Sequence, residues 1–87
     1  MKDKRIPLSK QKEIEQQFLQ ALGKKIRKLR FENDNMSQEA LGLECNLDRT
    51  YIGGIERGER NPTVLNLKKI ADALGVSVEQ LFSEGSK

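Results

Sequence analysis

One short segment carries the residues with most to offer chemically: Arg49, Thr50 and Tyr51, then Gly53 and Gly54, then Arg57. A helix turns about 100° per residue, so with the core direction midway between Ile52 and Ile55, Thr50 and Arg57 point outward. Gly53 and Gly54 lie beside them, and Arg49 and Tyr51 flank the face. Arginine can read the O6 and N7 edge of guanine, threonine or tyrosine can meet a phosphate or a thymine methyl, and glycine lets a backbone come close. This is the chemistry of a helix that enters a major groove, although a merely solvated helix also shows such a face. Catalysis is not expected. The chain has no histidine and a single cysteine, hence no Ser/His or Cys/His pair and no intramolecular disulfide. No G-x-x-x-x-G-K loop or metal-ligand spacing occurs either, so no metal, cofactor or small-molecule ligand is expected.

The elements that must hold this face fit in one small domain of 87 residues, 36% hydrophobic and 33% charged. No apolar run approaches the roughly 20 residues needed to cross a bilayer, and Lys2, Asp3, Lys4 and Arg5 do not open a secretory signal. A cytoplasmic setting fits both the single cysteine and the missing leader. The net charge of +3 is unevenly spread. Residues 2–30 hold ten Lys/Arg against three Asp/Glu, residues 31–60 three against seven, and residues 61–87 three against three. The basic segment suits a polyanion, with Lys24, Lys25, Arg27 and Lys28 steering rather than reading it.

An all-α chain of five helices is expected. Ile14, Phe18, Leu22, Ile26 and Leu29 recur at helical spacing and predict a first helix over about 10–33, weakened in the middle by Gly23 and ended by Asn33, Asp34 and Asn35. Residues 1–16 read as a basic arm, either flexible or a helical extension, whose Lys2, Lys4 and Arg5 could follow a minor groove. Ser37 caps a second helix through Cys45, with Gly42 as the small residue at a helix crossing and Cys45 packed inside. Asn46 turns the chain, and Asp48 caps a third helix over 49–57 that Gly58 stops. Thr63 opens a fourth helix with Leu67, Ile70, Ala71 and Leu74 inward, ended by Gly75. Ser77 and Gln80 form a capping box for a fifth, carrying Val78, Leu81 and Phe82. The domain is placed at 17–83, with a tail over 84–87. Helices two and three have the form of a helix-turn-helix.

Several stretches together are more specific: Ser37-Gln38-Glu39-Ala40-Leu41, Asn46-Leu47-Asp48-Arg49-Thr50-Tyr51-Ile52, Ile55-Glu56-Arg57-Gly58, Asn61-Pro62-Thr63 and Ile70 through Ser77. In order and spacing they resemble the lambda-repressor/Cro-like (Xre) family of DNA-binding domains over about residues 18–83. Within it, the run Asp48 to Ile52 resembles the small controller proteins of restriction-modification systems. The resemblance implies a transcriptional regulator binding double-stranded DNA. It implies backbone contact by Gln38, readout by Arg49, Thr50 and Tyr51, phosphate contact by Arg60 and Asn61, and a partly buried ion pair of Arg30 with Glu56. The helical projection independently sets both partners of that pair at the edge of the core.

Gly42 stands where the family usually has alanine, and Gly53 where serine is common, so a close backbone approach to DNA at Gly53 is the expected substitute for a serine contact. Small family members dimerise near their last helices, which implies a C2 homodimer through Leu65, Val76, Val78 and Phe82 on a pseudo-palindromic operator. An alternative use of the same fold is a protein-interaction module, an antitoxin or an antagonist of a sister regulator, which the acidic balance of residues 31–60 keeps open.

Overall fold

The structure is a computed structural model that describes residues 5–83. The expectations for Lys2, Lys4 and the tail at 84–87 lie outside those residues. Five helices follow in order: α1 (Leu8–Glu32), α2 (Gln38–Cys45), α3 (Arg49–Glu56), α4 (Val64–Leu74) and α5 (Val78–Phe82). No strand occurs among the described residues.

The local signals do what their chemistry dictates. Ser37 Oγ accepts from the Ala40 N–H at 3.0 Å, Asp48 from the Thr50 N–H at 3.0 Å, and Thr63 from the Asn66 N–H at 3.0 Å. Each side chain satisfies a donor that a helix start would otherwise leave unpaired. Ser77 and Gln80 close a reciprocal capping box on α5. Asn46 adopts the left-handed conformation at φ 57°, which reverses the chain between α2 and α3. Asp34 and Asn35 do the same after α1, at φ 61° and 57°. Asparagine and aspartate tolerate this region because their short polar groups bond locally.

The core is built from Leu22 and Ile26 of α1, Leu41 of α2, Ile52 and Ile55 of α3, Leu67, Ile70 and Leu74 of α4, and Leu81 of α5. The helix begins at Leu8, directly after Pro7 and two residues before the expected start, so over residues 8–16 the structure has the helical extension, one of the two alternatives. Its expected apolar stripe is not inward throughout: Leu22 and Ile26 are buried, whereas Ile14 is 41% and Phe18 56% exposed. α3 and α5 are the main packing partners of α1, from about Phe18 onward, and the turns before it project past the core. Gln16 Nε2 donates to the Gly58 carbonyl at 3.0 Å and ties this projecting part to the loop after α3.

Gly23 has a role that its low helix propensity concealed. A β-carbon there would lie 2.4 Å from the carbonyl oxygens of both Ile55 and Glu56, closer than any side chain can sit. The end of α3 therefore crosses α1 at Gly23, backbone against backbone. Gly42 serves the crossing of the helix-turn-helix in the same way, since a β-carbon there would meet the Leu47 carbonyl at 2.6 Å.

Candidate nucleic-acid interface

The outward side of α3 rests on a buried polar network. Arg30, the last buried residue of α1, grips Glu56 at the end of α3 with both prongs: Nε to Oε2 at 2.7 Å and Nη2 to Oε1 at 2.8 Å. The two side chains are only 6% and 3% exposed. Arg30 Nη1 also donates to the Met36 carbonyl at 2.8 Å, and Gln38 Nε2 donates to Glu56 Oε1 at 3.0 Å. α1, the α1–α2 loop, α2 and α3 are thus joined through one carboxylate. Every buried side-chain nitrogen and oxygen among the described residues has a partner. A two-pronged, fully satisfied pair fixes geometry as well as charge, because the guanidinium fork and the carboxylate are both planar.

This network orients Gln38, the first residue of α2. Its Nε2 is committed to Glu56, which leaves Oε1 turned toward α3 at Gly53. A β-carbon on Gly53 would lie 3.3 Å from Gln38 Oε1 and 3.2 Å from Arg57 Nη1. The glycines of α3 are therefore not open, as the projection suggested. Both are buried, Gly53 under Gln38 and Arg57, and Gly54 under the stem of Arg60, whose Cγ would be 2.6 Å from an added β-carbon. Gly53 is a seat for two side chains, and direct approach of its backbone to DNA is not what its surroundings favour.

Arg60 is placed by this seat together with Tyr51, over whose ring its guanidinium lies at 5.4 Å from the centroid. Tyr51 is half-buried, and its hydroxyl accepts from Asn66 Nδ2 at 3.0 Å. Its ring thus serves as a wall for Arg60 as much as an outward group. Asn66 was missed at the sequence level, because nothing local connects an asparagine on α4 to a tyrosine fifteen residues earlier. Thr50 is exposed, with its hydroxyl bonded to the Asp48 carboxylate. That bond and the Thr50 N–H hold the Asp48 carboxyl below the usual carboxylate range.

The three arginines of this face differ in commitment. Arg57 Nε pairs with Glu59 Oε1 at 3.1 Å in solvent, and Arg60 stacks on Tyr51. Arg49 is exposed and makes no hydrogen bond or ion pair with another described residue. It borders a notch shared with Arg27, Phe31, Ser37, Gln38 and the acidic Glu39, where the Arg27 guanidinium lies 5.2 Å from the Phe31 ring centroid. Such a notch, with a helix N-terminus on one side and stacked cations on the other, suits an anionic backbone. Asn61 is exposed in the following loop, ahead of buried Pro62.

Cys45 takes no part in this site. It is buried, its Sγ donates to the Leu41 carbonyl at 3.0 Å, and burial pushes its thiol above the ordinary value. Of the residues expected at a dimer contact, Val76 and Val78 are half-buried against the core and Phe82 is 41% exposed. Leu65, 73% exposed, lies in the first turn of α4, about 14 Å of helix before its end at Leu74.

Comparison with known proteins bears directly on this arrangement. The helix-turn-helix family HTH_3 matches residues 24–81, which takes in the buried network, α2, α3 and both later helices. The chain belongs to this helix-turn-helix family. Its relatives are DNA-binding transcription regulators rather than enzymes. Control protein C.BamHI of Bacillus amyloliquefaciens is 52% identical over 60 residues, 69% of this chain and 74% of its own length. Control protein C.MunI of Mycoplasma sp is 45% identical over 65 residues, 75% of this chain and 88% of its own length. The crystal structure of the restriction-modification controller protein C.AhdI from Aeromonas hydrophila superposes with a TM-score of 0.71 at 42% identity, covering 74% of this chain and 96% of that one. The hypothetical transcription factor NHTF from Neisseria superposes equally well, 0.71 at 35% identity, and covers 95% of this chain and 87% of its own. No described helix is long and apolar enough to cross a membrane.

Proposed function

We propose that the protein is a restriction-modification controller: a homodimeric, sequence-specific regulator that binds a pseudo-palindromic operator with α3 in the major groove. The observation that carries this reading is the contrast around α3, whose inner end is locked by Arg30 and Glu56 while Arg49 at its outer start is uncommitted. A rigidly held helix with a free guanidinium at its N-terminal end has what base readout requires.

In this reading Arg49 is the principal base reader, with the Thr50 methyl beside it. Gln38, Arg57, Arg60 and Asn61 hold phosphates and set the register, and Gly53 and Tyr51 position them. Dimerisation at the end of the molecule formed by Val76, Val78 and Phe82 presents two α3 helices to successive major grooves about 34 Å apart. The test is selection of bound duplexes from a random pool at physiological salt, followed by a mobility-shift titration on the winner. The expected result is an inverted repeat bound at least about a thousandfold more tightly than random DNA. A pool that stays unenriched overturns the reading and favours a protein partner.

A further inference from the structure

Asn66 joins α4 to the outward side of α3 through one bond, and the direction of that bond decides what Tyr51 can do. Asn66 lies in the first turn of α4, where Thr63 Oγ1 accepts from its backbone N–H at 3.0 Å. Its side chain takes no part in that cap and reaches across to α3, Nδ2 donating to Tyr51 Oη at 3.0 Å, with both residues half-buried. A phenol has one hydrogen to give and an oxygen that accepts. With the amide hydrogen on the oxygen, the phenol hydrogen must point elsewhere. No described residue accepts it, and the carboxylates flanking α3 are already taken, Asp48 by Thr50 and Glu59 by Arg57. Donation to the oxygen also strengthens the hydroxyl as a donor, because successive hydrogen bonds polarise one another.

We infer that Asn66 is a positioning residue of the DNA-binding face: it makes the Tyr51 hydroxyl a committed donor for a phosphate oxygen of the duplex backbone, beside Arg60. The inference rests on the DNA-binding reading above and extends the face from the helix-turn-helix to α4. Chemistry selects the phosphate. A phosphate oxygen only accepts, so a donor of fixed direction fits it at any sequence, whereas base edges in the major groove mix donors with acceptors. Charge agrees, since the exposed Arg60 guanidinium lies over the same ring, 5.4 Å from its centroid, and sets a cation close to the hydroxyl. Position agrees as well. Tyr51 flanks the outward direction of Thr50 and Arg57, and its ring is held at its face by Arg60 and at its hydroxyl by Asn66. Asn66 acts through Tyr51 and needs no contact of its own with DNA.

The experiment is a double-mutant cycle on the full chain, read by mobility shift on the selected duplex and on random duplex at several salt concentrations. Asn66→Ala is expected to weaken both duplexes evenly by about three- to tenfold, the worth of one neutral hydrogen bond. Tyr51→Phe, which keeps the ring under Arg60, is expected to do at least as much. The two together are expected to bind within about twofold of Tyr51→Phe alone, because the amide acts only through the hydroxyl. The salt slope should stay at the parent's value, since a neutral donor releases no counterion, whereas Arg60→Ala should reduce it by about 1. Asn66→Asp keeps the shape and reverses the bond: the carboxylate only accepts and draws the phenol hydrogen inward. Its effect is expected to be larger in the parent than in the Tyr51→Phe background, where the added negative charge acts alone, and this variant decides if Asn66→Ala fails to fold. Losses that add in full, an Asn66→Ala protein within about twofold of the parent, or an Asn66→Asp effect equal in both backgrounds overturn the inference and leave the DNA-binding reading intact. A loss confined to the selected duplex moves the hydroxyl to a base edge and overturns the phosphate assignment. A pool that stays unenriched overturns the controller reading alone, the cycle then being decided on random duplex, and a parent that binds no duplex overturns both.

Discussion

Two arginine–glutamate pairs sit at the end of α3, and they behave as opposites. Arg30 and Glu56 are sealed inside and bonded through both prongs, with further bonds to the Met36 carbonyl and Gln38. Arg57 and Glu59 meet through one contact, with each side chain about 60% exposed. The first pair lies where water cannot replace a missing partner, and the second lies where it can. The inner region of α3 is accordingly organised for position and the outer region for exchange. An outer arginine can leave a carboxylate for a phosphate at little cost, whereas an inner one cannot leave at all.

The sharpest way to break this contrast is at Glu56. Glu56→Ala strands the Arg30 guanidinium and releases Gln38, and is expected to cost about 3–5 kcal/mol of stability by denaturant unfolding. The matching change outside, Glu59→Ala, is expected to cost less than about 1 kcal/mol. Equal effects from the two would show that burial does not separate the pairs.

Gly23 tests the same inner region without touching charge. In an exposed helix, glycine to alanine stabilises by about 1 kcal/mol. Here the new methyl would run into the carbonyls of Ile55 and Glu56, which are backbone and cannot turn aside. Gly23→Ala is therefore expected to destabilise by about 1–3 kcal/mol, the range for forced overpacking. A variant that melts higher than the parent would mean that α3 does not cross α1 at this point.

The outer region is expected to answer in affinity instead of stability. Arg49→Ala should leave unfolding within about 0.5 kcal/mol and cost about 1–3 kcal/mol of discrimination at one operator position. Arg57→Ala should weaken all sequences evenly and reduce the salt slope by about 1. Uniform weakening by Arg49→Ala would reassign it from a base to a phosphate.

The same contrast governs what could be read from the sequence. Caps at Ser37, Asp48, Thr63 and Ser77, and turns at Asn46 and Gly75, depend on atoms within a few residues, so composition and spacing sufficed. Arg30 and Glu56 were legible through a family resemblance and a helical projection together. What local pattern could not carry was close approach between distant segments. Gly23 registered only as a weak helix former, Gly53 and Gly54 as open positions, and Tyr51 as an outward group without its tie to Asn66. Ile14 and Phe18 have the right spacing for a core, and only the length of the body beside them shows that the core stops at Leu22.

The smallest expected effect lies at the start of α3, where inner and outer regions meet. The Asp48 carboxylate accepts from both the N–H and the hydroxyl of Thr50, and these bonds lower its pKa from the ordinary value near about 4. A carboxyl whose folded pKa is depressed stabilises the fold above the ordinary value, and that contribution is lost as pH falls through the lowered one. Between about pH 5 and pH 3 the first turn of α3 should therefore lose its cap charge and some of its hold on Thr50, ahead of any loss at buried Leu41 or Ile52. Asp48→Asn keeps an acceptor oxygen but cannot titrate. Its melting temperature should fall less steeply than the parent's over this interval, so that the two curves converge in acid. Parallel curves would place the acid sensitivity in other carboxylates and leave Asp48 as a cap whose charge contributes nothing.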